Sequence, residues 1–461
     1  MGIIFINRVS FALCLFLLPS LMLTGCFSGR GKNVSRSEIN KVPVSSDKAK
    51  QADNHISNEK PFEEMKKNET CPPTEEKLLS QIVSPQNPES LMPITSSMSR
   101  SQMHSEPSRG IATARARREK AIKAPDFFYH DEILTEDTVW QGEVLIEGGV
   151  TIASQTTLTV KNGTVIRFRG NTGAKTNGVL VVQGRIVVSG SADKPVLFTT
   201  LYENLHAGDW QGIVLLGSGK KNLIENCRIE GAEIGFDSSF SSIDLKNIFF
   251  SKCRTGVRLQ DCLAAITGGG VGECGAGMII YDSEADIRAA DFFGNRLGIF
   301  AVRTSLSLAG SKLTGNNLLA LKTDKCRLII NGNSFTANGN GLGLVESEGD
   351  VSGNRITQNA TYGLVLARSR VKVHGNEIIR NGKVGLRIED GKGIAWGNSL
   401  FANGDYDLYN DGIEEFRAIE NWWGDAISDI ERRIFDRQMD DCRGRVLYIP
   451  VLQTKPVLNT P

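Results

Sequence analysis

From about Val139 onward, short apolar runs alternate with polar residues, and Gly or Asn closes each run. Val144-Leu-Ile, Leu158-Thr-Val, Val165-Ile-Arg-Phe, Val179-Leu-Val-Val and Ile186-Val-Val come first, and Trp210-Gln-Gly-Ile-Val-Leu-Leu follows. Further along are Gly298-Ile-Phe-Ala-Val, Gly363-Leu-Val-Leu-Ala and Gly385-Leu-Arg-Ile-Glu. A period of two predicts strands with one buried face, and the Gly and Asn between them predict sharp turns.

These runs recur in register. Asn333-Ser-Phe-Thr-Ala-Asn338, Asn354-Arg-Ile-Thr-Gln-Asn359, Asn376-Glu-Ile-Ile-Arg-Asn381 and Asn398-Ser-Leu-Phe-Ala-Asn403 begin 21, 22 and 22 residues apart. The same frame steps back through Ser311, Ala290, Gly269 and Asn247 to Asn226, and forward to Asn421. Self-similarity at this period predicts a solenoid in which each unit stacks on the next. About three short strands plus turns fill one unit, which is one coil of a parallel β-helix running from about Val139 to about Asn421. At ~4.8 Å per coil, roughly thirteen coils make a rod of about 60 Å. A leucine-rich repeat has a similar period but needs Leu-x-x-Leu-x-Leu in each unit, which is missing here. Repeated asparagines stack on their own copies, and an amide carries both donor and acceptor, so they are expected to form an internal ladder.

The ends differ from the middle. Arg8 precedes an apolar run, Val9 to Leu23, that closes in Leu23-Thr24-Gly25-Cys26, the layout of a secretory signal. Residues 27–124 are rich in Ser, Lys, Glu, Asn and Pro without an apolar period, so they are expected to be a disordered tether. Arg109 to Lys123 carries six basic residues against one Glu119, a solvated basic segment or a contact for anionic lipid. With a net charge of +1 for the whole chain, no nucleic-acid partner is expected. After Asn421-Trp422-Trp423-Gly424, apolar Ile427, Ile430, Ile434 and Phe435 fall at helical spacing, followed by Gly444-Arg-Val-Leu-Tyr-Ile-Pro450. A helix-plus-strand cap over 421–461 would cover the open end of the rod, whose bare edge is otherwise a pairing hazard. A sugar-stacking platform made by the two tryptophans is the alternative. The division is therefore 1–26 signal, 27–124 tether, 125–420 β-helix and 421–461 cap and tail.

Two resemblances follow from these residues. Leu23-Thr-Gly-Cys26 resembles the bacterial lipobox, which implies lipid on Cys26, a membrane partner and an envelope address, outer membrane before inner. Thr157-Leu-Thr-Val-Lys-Asn-Gly-Thr-Val-Ile-Arg-Phe168, Ala192-Asp-Lys-Pro-Val-Leu-Phe-Thr199, Gly208-Asp-Trp-Gln-Gly-Ile213 and the Asn421-Trp-Trp-Gly ending resemble secreted bacterial right-handed parallel β-helix proteins. That superfamily implies an all-β right-handed parallel β-helix. It spans carbohydrate-binding and sugar-hydrolysing domains, pectin-active enzymes, adhesins and a nitrous oxide reductase accessory protein.

Chemistry is sparse in the sequence. Outside Cys14 and Cys26 there are Cys71, Cys227, Cys253, Cys262, Cys274, Cys326 and Cys442, an odd number with no Cys-x-x-Cys. With five scattered histidines as well, no metal or cofactor is expected. Cys253 and Cys274 hold equivalent places in adjacent coils and either pair or fill the core. The Asn-Thr-Asp, Asp-Asp and Gly-His-Gly set of pectin hydrolases is missing. Asp440-Asp441 is the one double Asp, in the cap. One column offers a site. Thirteen residues after the repeat starts come Asp282, Arg303, Asp324, Glu346, Glu389 and Asp411, with Gln260 and Ala367 also in frame, a candidate stripe for a glycan or divalent cation, or else a paired outer face. The expectation is a lipid-anchored, non-catalytic scaffold that binds polysaccharide or an envelope protein along its flank. The alternative is a polysaccharide lyase, epimerase or glycoside hydrolase on that flank.

Overall fold

One coil shows how the alternation becomes structure. Ala276–Tyr281, Glu284–Arg288 and Asp291–Phe293 are its three strands. Each pairs in parallel with its counterpart one coil on, at Leu297–Val302, Ser305–Ala309 and Lys312–Thr314. Met278 pairs with Ile299, Ile287 with Leu308 and Phe292 with Leu313, and all six are buried. In the second strand Glu284, Asp286 and Arg288 point the other way. Repetition gives three parallel sheets around one apolar core, in about thirteen coils. The computed structural model describes residues 118–120, 124–169, 178–425 and 427–458. Cys14, Cys26, Cys71, the signal and nearly all of the 27–124 tether lie outside the described residues. Among the described residues no helix is long and apolar enough to cross a membrane.

Ladders of polar side chains run along the three corners. Asn333, Asn354, Asn376, Asn398 and Asn421 form one, each Nδ2 donating to the next Oδ1 at 2.9–3.0 Å. Asn295, Asn316, Asn338, Asn359, Asn381 and Asn403 form a second in the same way. Asp407 ends it, accepting from Asn403 at 2.8 Å, because the last rung has no further acceptor to reach. The third ladder uses hydroxyls and thiols: Cys262 N donates to Ser283, Cys326 N to Ser347 and Ser347 N to Ser369. This accounts for most of the cysteines. Cys262 and Cys326 are rungs of that ladder, while Cys253 and Cys274 head the second one, with Cys274 N donating to Asn295 Oδ1 at 2.9 Å. Cys253 and Cys274 are buried free thiols, so core filling is the outcome.

The strands begin at Phe127–Leu134, earlier than the repeat alone indicated, and end at Val446–Leu447. At the cap the expected helix is one short 3-10 stretch, Ile427–Arg433, followed directly by strand Ile434–Phe435. The chain has to extend there. Ile434 pairs with Leu408, and the Phe435 ring stacks on Tyr409 at 4.2 Å. Trp422 and Trp423 are 8% and 7% exposed, so they close the rod end and offer no sugar platform.

Candidate functional site

The acidic column of the sequence reading is real only in part. Asp282, Arg303 and Glu346 stack, but the neighbours sharing their left-handed turn are Asp261, Lys325, Arg368 and Asp390. Asp324 and Glu389 belong to the strand end before the turn, where Val302 pairs with Asp324 and Ala367 with Glu389. Asp411 lies beside Ile388, to whose carbonyl its N–H donates. The slip has a simple cause: 21-residue coils put the turn thirteen residues after the repeat start, and 22-residue coils put the extra residue ahead of that turn. The true column pairs with itself. Arg303 grips Asp282 through two bonds of 2.6 Å, and Glu346 meets Lys325 at 3.6 Å and Arg368 at 3.2 Å. Most of its charges are thus spent on one another, and exposed pairs of this kind contribute about 0–1 kcal/mol each. Glu389 and Asp411 instead flank Arg387 near the cap. Arg387 bonds Asp411 at 2.6 Å and lies 3.1 Å from Glu389, misaligned for a hydrogen bond. Burial pushes the Glu389 carboxyl above its ordinary value against the pull of Arg387.

The outer side of the second sheet presents a different arrangement. Its central column runs Asp286, Ser307, Ile329, Asp350, Lys372 and Ile394. One flanking column runs Glu284, Ser305, Arg327, Glu348 and Arg370, and the other Arg288, Ala309, Asn331, Ser352, His374 and Trp396. A groove of about 850 Å³ follows this face from Glu284 to Ile394. Over five coil steps it is ~24 Å long, room for several sugar units. Gly349 shapes its floor: with φ +140° its strand comes so close that a Cβ would sit 2.0 Å from the Leu328 carbonyl oxygen.

Charge is unevenly matched along the groove. Asp286 pairs with Arg288 at 2.9 Å and Glu348 with Arg327 at 3.4 Å. Arg370, Lys372 and Lys392, at the carboxy-terminal end, have no carboxylate partner among the described residues. Beside them His374 Nε2 lies 2.8 Å from Asp350 Oδ2, and the imidazole stacks on Trp396 at 4.5 Å and 13°. An ionised carboxylate only accepts, so Nε2–H donates to Asp350, and in the neutral ring that tautomer leaves the lone pair on Nδ1. The ring is 35% exposed, open to a ligand yet fixed on two sides. A base oriented by a carboxylate, next to cations with room for an anion, is the layout for abstracting a proton α to a carboxylate.

Sequence reading missed this pair because His374 is isolated along the chain. The signal was there: Asp350 and His374 are 24 residues apart, one 22-residue coil plus two positions, which puts them on the same face in adjacent coils.

Two family models match the chain. Residues 132–241 match a pectate-lyase like beta helix domain, and residues 270–412 match a right handed beta helix region. Comparison with curated proteins finds no match. Among solved structures, the periplasmic alginate epimerase AlgG is similar at 16% identity and TM-score 0.41, over 62% of this chain and 78% of that one. The A-module of the Azotobacter vinelandii mannuronan C-5 epimerase AlgE4 is similar at 12% identity and TM-score 0.35, over 68% and 91%. Likenesses of that degree say nothing about chemistry. The expectation of a non-catalytic scaffold is nevertheless corrected. The amino-terminal coils match a model described as pectate-lyase like, and the groove holds an oriented base beside cations that have no carboxylate partner among the described residues.

Proposed function

This chain belongs to the right-handed parallel β-helix proteins, and we propose that it is an enzyme modifying a uronate-containing polysaccharide in the groove of its second sheet. The observation carrying this reading is the Asp350–His374 pair at 2.8 Å, beside three cations that lack carboxylate partners among the described residues. In the proposed reaction Arg370 and Lys372 hold the sugar carboxylate and spread the charge that develops on it, and His374 Nδ1 takes the C5 proton. Collapse of the resulting enediolate either breaks the C4–O4 bond, the departing oxygen taking a proton from the imidazolium or from water, an elimination, or returns a proton from water to C5 on the opposite face, an epimerisation. Asp350 holds the ring orientation and stabilises the imidazolium once formed. Hydrolysis by two carboxylates is a poorer fit. Asp286, Glu348 and Asp350 are already engaged by Arg288, Arg327 and His374, so no pair of groove carboxylates is left to act as acid and base together. The signal-like start and Cys26 support an address outside the cytoplasm, lipid-anchored in the envelope.

The test incubates the full chain with polyuronates and with neutral glycans in deuterated water. Deuterium gained at C5, or unsaturated product absorbing in the ultraviolet, is expected from a polyuronate only, and is lost at least 100-fold in His374→Gln and Asp350→Asn. New reducing ends from a neutral glycan, or turnover that survives both substitutions, would reject the assignment.

A further inference from the structure

The groove of the second sheet carries its charges in a fixed order, and that order limits which polysaccharide fits. With coils ~4.8 Å apart, about one sugar unit faces each coil. At the carboxy-terminal end Lys392 stands on one coil and Arg370 and Lys372 on the next, and none of the three has a carboxylate partner among the described residues. The third coil carries Glu348 and Asp350, which Arg327 and His374 engage at 3.4 and 2.8 Å, so no cation is left over there. The fourth presents Ile329, 61% exposed. On the fifth, Ser305 and Ser307 line the groove without any charge. The sixth, at the amino-terminal end, holds Asp286 paired with Arg288 at 2.9 Å. Beside it Glu284 is exposed and has no cationic partner among the described residues.

A run of uronates meets this surface badly. Only the units over the last two coils find a cation to spare. Carboxylates over the three middle coils lose water to an apolar side chain, hydroxyls and charges already paired, with no free cation to offset the loss. One placed over Glu284 faces a like charge. Neutral sugars suit the same places. The CH face of a pyranose ring covers Ile329, and sugar hydroxyls exchange hydrogen bonds with Ser305 and Ser307, each of which can donate and accept. Unpaired positive charge at one end and unpaired negative charge at the other thus select for a carboxylate at one place and against carboxylates elsewhere.

We propose, resting on the reading of this groove as a polysaccharide site, that its ligand is a heteropolysaccharide. A single uronate, held by Arg370 and Lys372, is followed toward the amino-terminal end of the rod by a run of neutral sugars. Ile329 and Ser307 favour the neutral units, and Glu284 rejects a second carboxylate at the far end. A chain of uronates alone still reaches His374 but binds more weakly.

The experiment is calorimetric titration of the full chain with linear hexasaccharides. One is all glucuronate, one all glucose, and two are glucose with a single glucuronate placed second from the reducing or from the non-reducing end. The better of the two mixed forms is expected to bind at least tenfold more tightly than either uniform one. Glu284→Lys should reduce its lead over all-glucuronate at least threefold, and Arg370→Gln/Lys372→Gln should bring it within threefold of all-glucose. The strand signal in circular dichroism should be unchanged in both variants. Equal or tighter binding of all-glucuronate, no binding of either mixed form, or a lead indifferent to Glu284→Lys would overturn the proposal. Deuterium uptake at C5 and elimination, followed in parallel, keep the two readings apart: the expected order of affinities without either reaction supports this ligand and rejects the chemistry at His374.

Discussion

Asn376→Leu puts the ladder to a quantitative test. The Asn376 amide gives Nδ2 bonds to Asn398 Oδ1 at 2.9 Å, Val351 O at 2.8 Å and His374 O at 3.0 Å. Its Oδ1 accepts from both the N–H and the Nδ2 of Asn354, at 2.9 Å each. Leucine keeps the volume roughly and removes all of these. Asn398 Oδ1 retains the Asn376 N–H, and Asn354 Nδ2 retains Ile330 O and Ser352 O. The Asn354 N–H and the side-chain bond to the Val351 carbonyl have no such substitute. At about 1–3 kcal/mol for each buried group left short, the loss is about 2–6 kcal/mol. Asn226 is the internal control at the start of the repeat. It is only half-buried, gives one bond to Gly190 O at 3.0 Å and accepts one from Asn247 at 3.3 Å.

Asn226→Leu is therefore expected to cost about 1 kcal/mol, near the net value of one ordinary hydrogen bond. Urea titration followed by fluorescence and by circular dichroism reads both variants. A shift for Asn376→Leu no larger than for Asn226→Leu would mean that the asparagines are chosen for their turn conformation and that their stacking adds nothing. Non-coincident curves from the two probes would show coils melting separately, and the comparison would then use the transition of the carboxy-terminal tryptophans.

Three further outcomes are expected. Asp407→Ala strands Asn403 and takes the partner from Arg433 Nε at 3.1 Å, so it should cost about 3–5 kcal/mol and open the cap to limited proteolysis. Glu389→Gln should raise stability at neutral pH. Its folded value lies above the unfolded one, so the ionised carboxylate is penalised above that window, and the gain should vanish as pH falls through it, as paired urea titrations would show. Cys26→Ser should abolish labelling by a fatty-acid probe that the unaltered chain takes up in cells.

The fold was legible because a solenoid repeats its instructions. A period of 21 or 22 with Asn at fixed places specifies coil, corner and ladder together, and Asn333 to Asn421 hold the positions the repeat predicts. Register was legible only to within one residue. Counting thirteen from each repeat start assumes equal coils, and the single extra residue of the longer coils moved Asp324, Glu389 and Asp411 out of the column. In a strand a one-residue slip changes the face to which a side chain points, so a small error of count becomes a large error of site. Cap conformation depended on a contact no periodicity contains, the stacking of Phe435 on Tyr409. The groove was hidden for the opposite reason. Asp350, Lys372 and His374 lie on different coils and share no local motif, so only the stacking brings them together.

The repeat also explains why chemistry concentrates on one face. The first sheet buries its outward side chains over much of its length, from Phe300 to Ala367, and the third carries Glu377 at 7% exposure under Lys455, 2.6 Å away. Among the described residues, the second sheet combines a long open column with a floor residue, Gly349, that brings backbone and groove close together. On that sheet polar side chains arrive every ~4.8 Å, close to the rise of one sugar unit, so successive coils meet successive residues of a bound chain. Such a surface needs only one coil pair to carry the reaction, and the others to hold the polymer in register. Asp350 and His374 are that pair on this reading, with Arg370, Lys372 and Lys392 setting where along the rod a carboxylate must sit. Substitution at Ser307 or Ile329, three and two coils away from His374, should therefore weaken binding of long chains and leave turnover of short ones intact. Measuring KM against chain length for Ile329→Arg decides it: a fall in kcat on the shortest substrate would place the chemistry nearer the middle of the groove than at His374.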